Sequence, residues 1–277
     1  MSLTKTQRAR RGCPAVLGVS PYMSRFELYV DKTAGLPEKT GSHLDTGNRL
    51  ETALLRFCSE QIGQQVTIKN RLRVHENGFM HANLDGLVVG KREGIECKTV
   101  QFGDVEQWGE EGTNQIPDHV QAQAQHQMYV AELDLVWVPV LMPRYEWRIY
   151  KVERHDKLIE TIVDREREFW HNHVLAQVPP NEEPSLEALK YLRRVPEKIA
   201  TVPAELVAEW EAAKSAATES KKAAEEAQRK LLAALGDAEG GDFGDPAKIL
   251  TYYEACRAAY QVPESKYRTL RISKKKG

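Results

Sequence analysis

The strongest constraint on the fold is a pair of strand-like runs, residues 79–90 and 95–100, joined by the turn sequence GKREG. Runs of this kind, separated by a glycine-bounded turn, are typical of an antiparallel hairpin. Side chains two residues apart on a strand point to the same face, so Glu96 and Lys98 share a face and Asp85 can lie opposite them. The hairpin is therefore predicted to bring two carboxylates and an ammonium group together.

This set of side chains is suited to phosphodiester cleavage. Hard carboxylate oxygens bind Mg²⁺, which lowers the pKa of a bound water and neutralises charge in the transition state. An ammonium group beside them can orient the water or stabilise the developing charge. The Cys97 carbonyl, between Glu96 and Lys98, is a further candidate ligand. The spacing alone leaves an alternative open, in which Asp85 is a turn residue and Glu96 and Lys98 form an exposed ion pair.

A third carboxylate lies in the predicted helix 47–63, where Glu51 shares a face with Leu55, Cys58 and Ile62. An inward carboxylate is costly unless it is paired, and a metal ion would remove that cost. The alternative is that Glu51 lies at the edge of the apolar stripe and reaches water.

Two glutamines lie on the inward face of a second predicted helix, residues 118–132, for which Asp118 is the candidate N-cap. Gln123 and Gln127 share that face with apolar side chains. Buried amides need polar partners, and a carboxylate or a metal-bound water would serve.

The remaining periodicity predicts a mixed α/β core. Strands are expected at 64–76, 134–142 and 145–153, and a further helix is expected to end near residue 176.

A change of composition at residues 178–184, which are rich in proline and glutamate, indicates a linker. We therefore predict a core of residues 1–178 and an extension of residues 179–277. The extension contains a long helix rich in alanine, glutamate and lysine at 203–235, a glycine- and aspartate-rich break at 236–246, short strands in ILTYYEAC and YRTLRIS, and a basic tail. Its role is either partner docking, subunit contacts, DNA guidance or a stabilising cap on the core.

Composition excludes several classes of protein. No run of about 18 apolar residues is present, which predicts no transmembrane helix, and no apolar segment of the kind found in a secretory signal follows the basic N-terminus. The four cysteines form no CxxC pair, so zinc-ribbon and iron–sulfur spacings are absent, and free thiols in a reducing cytoplasm are expected. The formal net charge of −1 neither supports nor excludes nucleic-acid binding.

The motifs GNRLE, ANLDG, IECKT and QAQAQHQMYV occur in the order found in PD-(D/E)XK nucleases. Together with AVLGVSPYMSRFELYVDKTAG and REFWHNHV, they resemble the lambda exonuclease / YqaJ-like viral recombinase group over residues 8–175. The single motifs are weak signals, but the ordered set is a strong one. The resemblance implies a restriction-endonuclease-like α/β (α+β) core, with a central mixed sheet flanked by helices and a C-terminal helical appendage with short strands.

The resemblance also implies a metal site. Asp85 and Glu96 would bind Mg²⁺ with help from the Cys97 carbonyl, and Glu51 would reach a second ion directly or through water. Two ions in each site are therefore expected, and Mn²⁺ is expected to substitute for Mg²⁺.

For catalysis, the resemblance implies that Lys98 positions or activates the attacking water and that Gln123 orients the lysine or the water, beside the acidic residues Asp85 and Glu96. The family digests one strand of linear duplex DNA in the 5′-to-3′ direction and leaves a 3′ overhang. Its members typically form ring-shaped homotrimers and act with a single-strand annealing protein in phage recombination. The expected location is the cytoplasm of a bacterium or of a phage-infected host.

The chain departs from the family pattern before the AxLG motif, where the serine that would help to bind a 5′ phosphate is not evident. Arg8, Arg10 and Arg11 are the candidate phosphate anchors, because guanidinium groups bind phosphate in a bidentate manner. The sequence does not choose among them.

Two other functions compete with the exonuclease. An end-independent endonuclease on the same fold would use identical chemistry, and only its dependence on DNA ends would separate the two. A non-catalytic DNA-end-binding scaffold is disfavoured by the intact set of Glu51, Asp85, Glu96 and Lys98.

Overall fold

The computed structural model describes residues 12–37, 42–67, 71–192, 199–244 and 247–252. The chain divides into two compact units, the first reaching Arg193 and the second beginning at Arg194. The predicted boundary after residue 178 stays a prediction.

The first unit contains six α-helices among its described residues, and several begin at recognisable caps. The helix at 25–33, for example, starts with a capping box between Ser24 and Glu27. The helices are α1 Cys13–Val16, α2 Arg25–Thr33, α3 Ser42–Ile62, α4 Asp118–Val130, α5 Asp156–Phe169 and α6 Leu186–Lys190.

The first unit also contains eight described strands. They are β1 Val66–Thr67, β2 Arg71–Val74, β3 His81–Leu84, β4 Gly86–Val88, β5 Glu93–Ile95, β6 Lys98–Thr99, β7 Leu135–Leu141 and β8 Trp147–Glu153. Six of them form one mixed sheet in which β1, β4, β5 and β7 are successive neighbours, while β6 and β8 also pair with β7. Strands β5 and β6 run parallel to β7, and the other pairings in this sheet are antiparallel. The predicted central mixed sheet is therefore confirmed.

Helices cover the sheet on both faces because β7 is apolar on both sides. Val136, Val138 and Val140 pack with side chains of α4, whereas Trp137 packs in the cluster that includes Leu55 of α3. Near-continuous apolar sequence is typical of a strand buried on both faces. The sheet is thus held between α3 and α4, which carry Glu51 and Gln123.

The predicted strand 79–90 is divided in the structure. Its first half, β3, pairs with β2 in a separate two-stranded sheet, and its second half, β4, pairs with β5 in the main sheet. Asp85 lies at the change between the two sheets. The described parts of the predicted strand 64–76 are β1, which belongs to the main sheet, and β2, which belongs to the two-stranded sheet.

One local prediction is corrected by the structure. Asp118 is the first residue of α4 and not its N-cap, which is Pro117 and makes no side-chain capping bond. The helix predicted to end near residue 176 is α5, which continues as a π-helical segment over Trp170–Leu175, so the predicted end is confirmed.

The segment after residue 178 makes contacts with α2. Arg25 forms an ion pair with Glu182, and Ser185 donates a hydrogen bond to Glu27 at 3.0 Å. Ala188 of α6 is buried in the apolar cluster that includes Phe26.

The second unit contains the predicted long helix, α7 Ala204–Leu235, none of whose residues is buried. Beyond it, the strands β9 Gly240–Gly241 and β10 Leu250–Thr251 pair antiparallel. The segment YRTLRIS and the basic tail lie outside the described residues. No helix in the described ranges is both long and apolar enough to cross a membrane.

Candidate active site

The hairpin of β4 and β5 brings the two predicted acids together. Its register pairs Gly86 with Ile95, which places Asp85 opposite Glu96. The Cys97 backbone N–H donates a hydrogen bond to Asp85 Oδ2 at 2.8 Å. The Asp85 and Glu96 carboxylates therefore lie at the same end of the β4–β5 ladder. The turn sequence and the alternation of side chains along a strand predict this arrangement.

Glu96, Lys98 and Gln123 form a closed triangle of hydrogen bonds. Lys98 Nζ donates to Glu96 Oε1 at 2.6 Å and to Gln123 Oε1 at 2.9 Å. Gln123 Nε2 donates to the same Glu96 Oε1 at 2.6 Å. Glu96 is 5% exposed, and the Lys98 side chain is 23% exposed. The ammonium group is thus held in one place while part of the side chain reaches solvent.

Gln127, one helical turn beyond Gln123, binds the second oxygen of the same carboxylate. Its Nε2 donates to Glu96 Oε2 at 2.6 Å and to the Asn83 carbonyl at 2.8 Å. The sequence places Gln127 on the inward face of α4, and the structure supplies the carboxylate partner that such an amide needs.

Glu51 lies on the α3 side of the site. Its backbone carbonyl accepts a hydrogen bond from Cys97 Sγ at 3.8 Å. Burial raises the pKa of the Glu51 carboxyl, and the Glu96 carboxylate raises it further. The structure therefore brings Glu51 into electrostatic contact with the predicted acids.

The close carboxylates change the ionisation of Asp85. Burial and the Glu96 charge raise the pKa of Asp85 to about 8, although the Cys97 hydrogen bond opposes this shift. Burial lowers the pKa of Lys98, but the charge and hydrogen bond of Glu96 outweigh it, so that the net pKa of Lys98 is raised. The site thus carries more acidic groups than its single ammonium group can neutralise.

Two rings near the lysine were not found by sequence reasoning. Tyr22, which is 66% exposed, meets the His119 ring edge-on with centroids 5.6 Å apart. Burial and the Lys98 charge lower the pKa of His119. His119 lies one helical turn before Gln123, and this four-residue spacing is the sequence signal that identifies it.

A second cluster of metal-binding residue types was also missed. Ligand atoms of Cys13, His126 and Glu166 all lie within 4.8 Å of one another, and all three residues are buried. His126 Nδ1 is 2.8 Å from Glu166 Oε1, and its Nε2 is 2.9 Å from the His81 carbonyl. Both ring nitrogens therefore have acceptors, an arrangement that suits a protonated imidazole paired with a carboxylate.

The candidate phosphate anchors Arg8, Arg10 and Arg11 lie outside the described residues. The structure thus brings together Asp85, Glu96, Cys97, Lys98 and Gln123, with Glu51 beside them.

The fold defined by this sheet and these helices is that of an alkaline exonuclease. The structure of LHK-Exo in complex with dAMP matches with a TM-score of 0.50 and 21% identity, over 62% of this chain and 92% of the exonuclease. A second structure of this alkaline exonuclease, from Laribacter hongkongensis, matches with a TM-score of 0.48 and 20% identity, over 61% of this chain and 90% of the other.

The family resemblance is confirmed by two further matches. Residues 12–134 match the model of the YqaJ-like viral recombinase domain. The uncharacterized protein YqaJ of Bacillus subtilis (strain 168) is 31% identical over 186 residues, which is 65% of this chain. The chain spans 57% of the length of that relative.

Proposed function

We propose that this chain is a divalent-metal-dependent deoxyribonuclease that digests one strand of linear duplex DNA in the 5′-to-3′ direction and leaves a 3′ overhang. The observation that carries the proposal is the Lys98 ammonium group, which is hydrogen-bonded to Glu96 and Gln123 beside the Asp85 carboxylate. An ammonium group next to paired acids is suited to metal-assisted phosphodiester hydrolysis.

The residues present fit a divalent cation. Asp85 has a pKa of about 8 because it is buried beside the Glu96 carboxylate, and a cation would relieve this repulsion. Oxygen ligands are also the ones that Mg²⁺ and Mn²⁺ prefer. Asp85, Glu96 and the Cys97 carbonyl would hold one ion. Glu51 would hold a second ion, directly or through water, since its carboxyl lies close enough to Glu96 for that charge to raise its pKa.

When bound, the metal would supply Lewis-acid chemistry, lowering the pKa of a water and offsetting charge on the phosphoryl oxygens. The protein side chains do the positioning. Lys98 Nζ would donate a hydrogen bond to the attacking water or to a phosphoryl oxygen, and Gln123 would hold Nζ in place through its Oε1. Glu96 Oε1 accepts hydrogen bonds from Lys98 Nζ and from Gln123 Nε2, and so holds both side chains in place.

Polarity, partners and location belong to the same proposal. The match to a viral recombinase domain and the alkaline exonuclease fold support a free DNA end as the substrate. Arg8, Arg10 or Arg11 would anchor the 5′ phosphate. We further propose a homotrimer, action with a single-strand annealing protein in phage-type recombination, and a location in the bacterial cytoplasm. Cys13, Cys58 and Cys97 are free thiols in the described part of the chain, which supports a reducing compartment.

The test is digestion of linear duplex DNA with and without a 5′ phosphate, next to a covalently closed circle, in Mg²⁺ and in EDTA. The proposal predicts loss of the linear substrate only, in Mg²⁺ only, and faster loss when the 5′ phosphate is present. Labels at the 5′ and 3′ ends of one strand separate the two polarities, because 5′-to-3′ digestion releases the 5′ label first.

Two results would contradict the proposal. Cleavage of the closed circle at the rate of the linear substrate would indicate an endonuclease. Binding of DNA ends without cleavage in either Mg²⁺ or Mn²⁺ would indicate a non-catalytic scaffold.

A further inference from the structure

The backbone ladder that carries the two acids ends at the active site. Strands β4 and β5 pair as far as Gly86 and Ile95, whereas β3, which immediately precedes Asp85, forms its ladder with β2 in the other sheet. The strand before Asp85 therefore pairs in the small sheet, whereas the strand after Glu96 pairs in the main sheet. Among the described strands, β3 forms no ladder with β5, so its position relative to the Glu96 carboxylate depends on side-chain contacts, one of which is the hydrogen bond from the Cys97 N–H to Asp85 Oδ2.

The Gln127 amide spans this gap. Its Nε2 donates one hydrogen bond to the Asn83 carbonyl, on β3, at 2.8 Å, and another to Glu96 Oε2 at 2.6 Å. Gln127 is 2% exposed, so water does not compete effectively for these bonds. One side chain thus joins the strand that leads to Asp85 to the other acid of the site.

The orientation of this amide is determined by its neighbours. Both of its partners are acceptors, so only the NH₂ end can face them, and a flipped amide would set an oxygen against two oxygens. Gln127 Oε1 is buried and has no hydrogen-bond partner among the described residues. A buried amide oxygen without a partner is costly, so the two bonds that the nitrogen makes must offset this cost.

We propose that Gln127 is a positioning residue that sets the separation between Asp85 and Glu96, and so shapes the cation site between them. This inference rests on the proposed function, because it concerns the same site. Gln127 acts through Glu96 Oε2 and through the backbone of Asn83, while Gln123 binds Lys98 and the other oxygen of Glu96 and makes no contact with β3 that the structure records among the described residues.

The same helix provides a matched control. Gln125 is also a buried amide, at 0% exposure, but it faces away from the site. Its Nε2 donates to the Glu153 carbonyl at 2.8 Å, and its Oε1 accepts from the His155 backbone N–H at 2.9 Å. Gln127→Met and Gln125→Met each remove two hydrogen bonds from a buried site of α4 while keeping an unbranched side chain of similar length.

The experiment compares the full-length chain with both variants. Thermal unfolding in EDTA measures the structural effect, and calorimetric titration with Mn²⁺ measures the metal site. Removal of a partner that orients a metal ligand typically weakens binding about 10- to 100-fold, so Gln127→Met should raise the Mn²⁺ dissociation constant by about tenfold or more, while Gln125→Met should stay within about twofold of the original chain. Both variants should lose thermal stability.

The outcomes separate this inference from the proposed function. Equal Mn²⁺ affinities of the two variants would overturn the role of Gln127 while leaving the nuclease proposal intact, provided that the original chain digests linear DNA. A selective loss of Mn²⁺ affinity in Gln127→Met would support the role of Gln127 even if the original chain cleaves no DNA. Failure of the original chain to bind Mn²⁺ would overturn both.

Discussion

Gly86 follows Asp85 at the first ladder position of β4, and the surrounding space leaves no room for a side chain. A Cβ at this position would lie 2.6 Å from Leu55 Cδ2, 3.0 Å from the Thr67 carbonyl oxygen and 3.4 Å from Ile95 Cδ1. Leu55 and Ile95 are each 0% exposed, and Thr67 contributes backbone, so the neighbours cannot simply swing into solvent. Gly86→Ala therefore forces either the core or β4 to move.

The expected magnitude follows from overpacking. Extra methyl groups in a packed core typically cost about 1–3 kcal/mol. For a unit of this size, each kcal/mol lowers the melting temperature by roughly 2–4 °C, so Gly86→Ala should melt about 2–12 °C below the original chain. Because β4 continues directly from Asp85, movement of the strand should also weaken Mn²⁺ binding.

Differential scanning calorimetry in EDTA, followed by Mn²⁺ titration, measures both effects. Gly47→Ala is the control, because Gly47 lies in α3 and a Cβ added there would meet nothing within 4 Å. Alanine is favoured over glycine inside a helix by about 0.5–1 kcal/mol, so this control should melt slightly higher. An unchanged melting temperature and an unchanged Mn²⁺ affinity in Gly86→Ala would refute the packing argument.

Three further outcomes are expected. Lys98→Ala should slow cleavage by about 100-fold or more, while DNA binding, measured by fluorescence anisotropy, should be unchanged. A nearly normal cleavage rate would remove Lys98 from the mechanism. Asp85→Ala should abolish the calorimetric signal of Mn²⁺ binding together with cleavage, and retained binding would assign the ion to other ligands. Burial lowers the pKa of His126, but Glu166 outweighs this effect, so the net pKa of His126 is raised in the folded protein. The stability that their pairing contributes is therefore fully present below the pKa of His126 in the unfolded chain, and it is lost as the pH rises through the pKa of His126 in the folded protein. The difference in unfolding free energy between the original chain and Glu166→Gln should accordingly shrink as the pH rises above the ordinary histidine pKa of about 6.5, and a constant difference would contradict the pairing.

Local patterns were sufficient for the parts of the site that are close in sequence. Glu96 and Lys98 are two residues apart on one extended segment, and Asp85 is brought to them by a short turn, so alternation and turn residues predict their meeting. The inward face of α3 is predicted correctly in the same way, because Leu55 and Cys58 are each 0% exposed.

Local patterns did not predict features that depend on tertiary pairing. The run 79–90 contains no proline and is predicted as one strand, so nothing in it shows that β3 and β4 belong to different sheets. The cluster of Cys13, His126 and Glu166 joins three distant segments, and no spacing rule connects them. A glutamine on an inward face signals a need for a partner, but only the fold shows that the partner of Gln127 is Glu96.

The hydrogen bonds around Glu96 limit how this carboxylate can hold a cation. A carboxylate has about four lone-pair positions. Oε1 accepts from Lys98 and from Gln123, and Oε2 accepts from Gln127, so a single position on Oε2 remains open. Glu96 would therefore coordinate an ion through one oxygen only, and not in a bidentate manner. Ca²⁺ often takes bidentate carboxylates within a large oxygen shell, whereas Mg²⁺ retains several waters and needs only one or two carboxylates. In the proposed metal site, the two glutamines and the lysine would therefore favour the smaller ion, because they occupy the positions that a bidentate contact to the larger one would use.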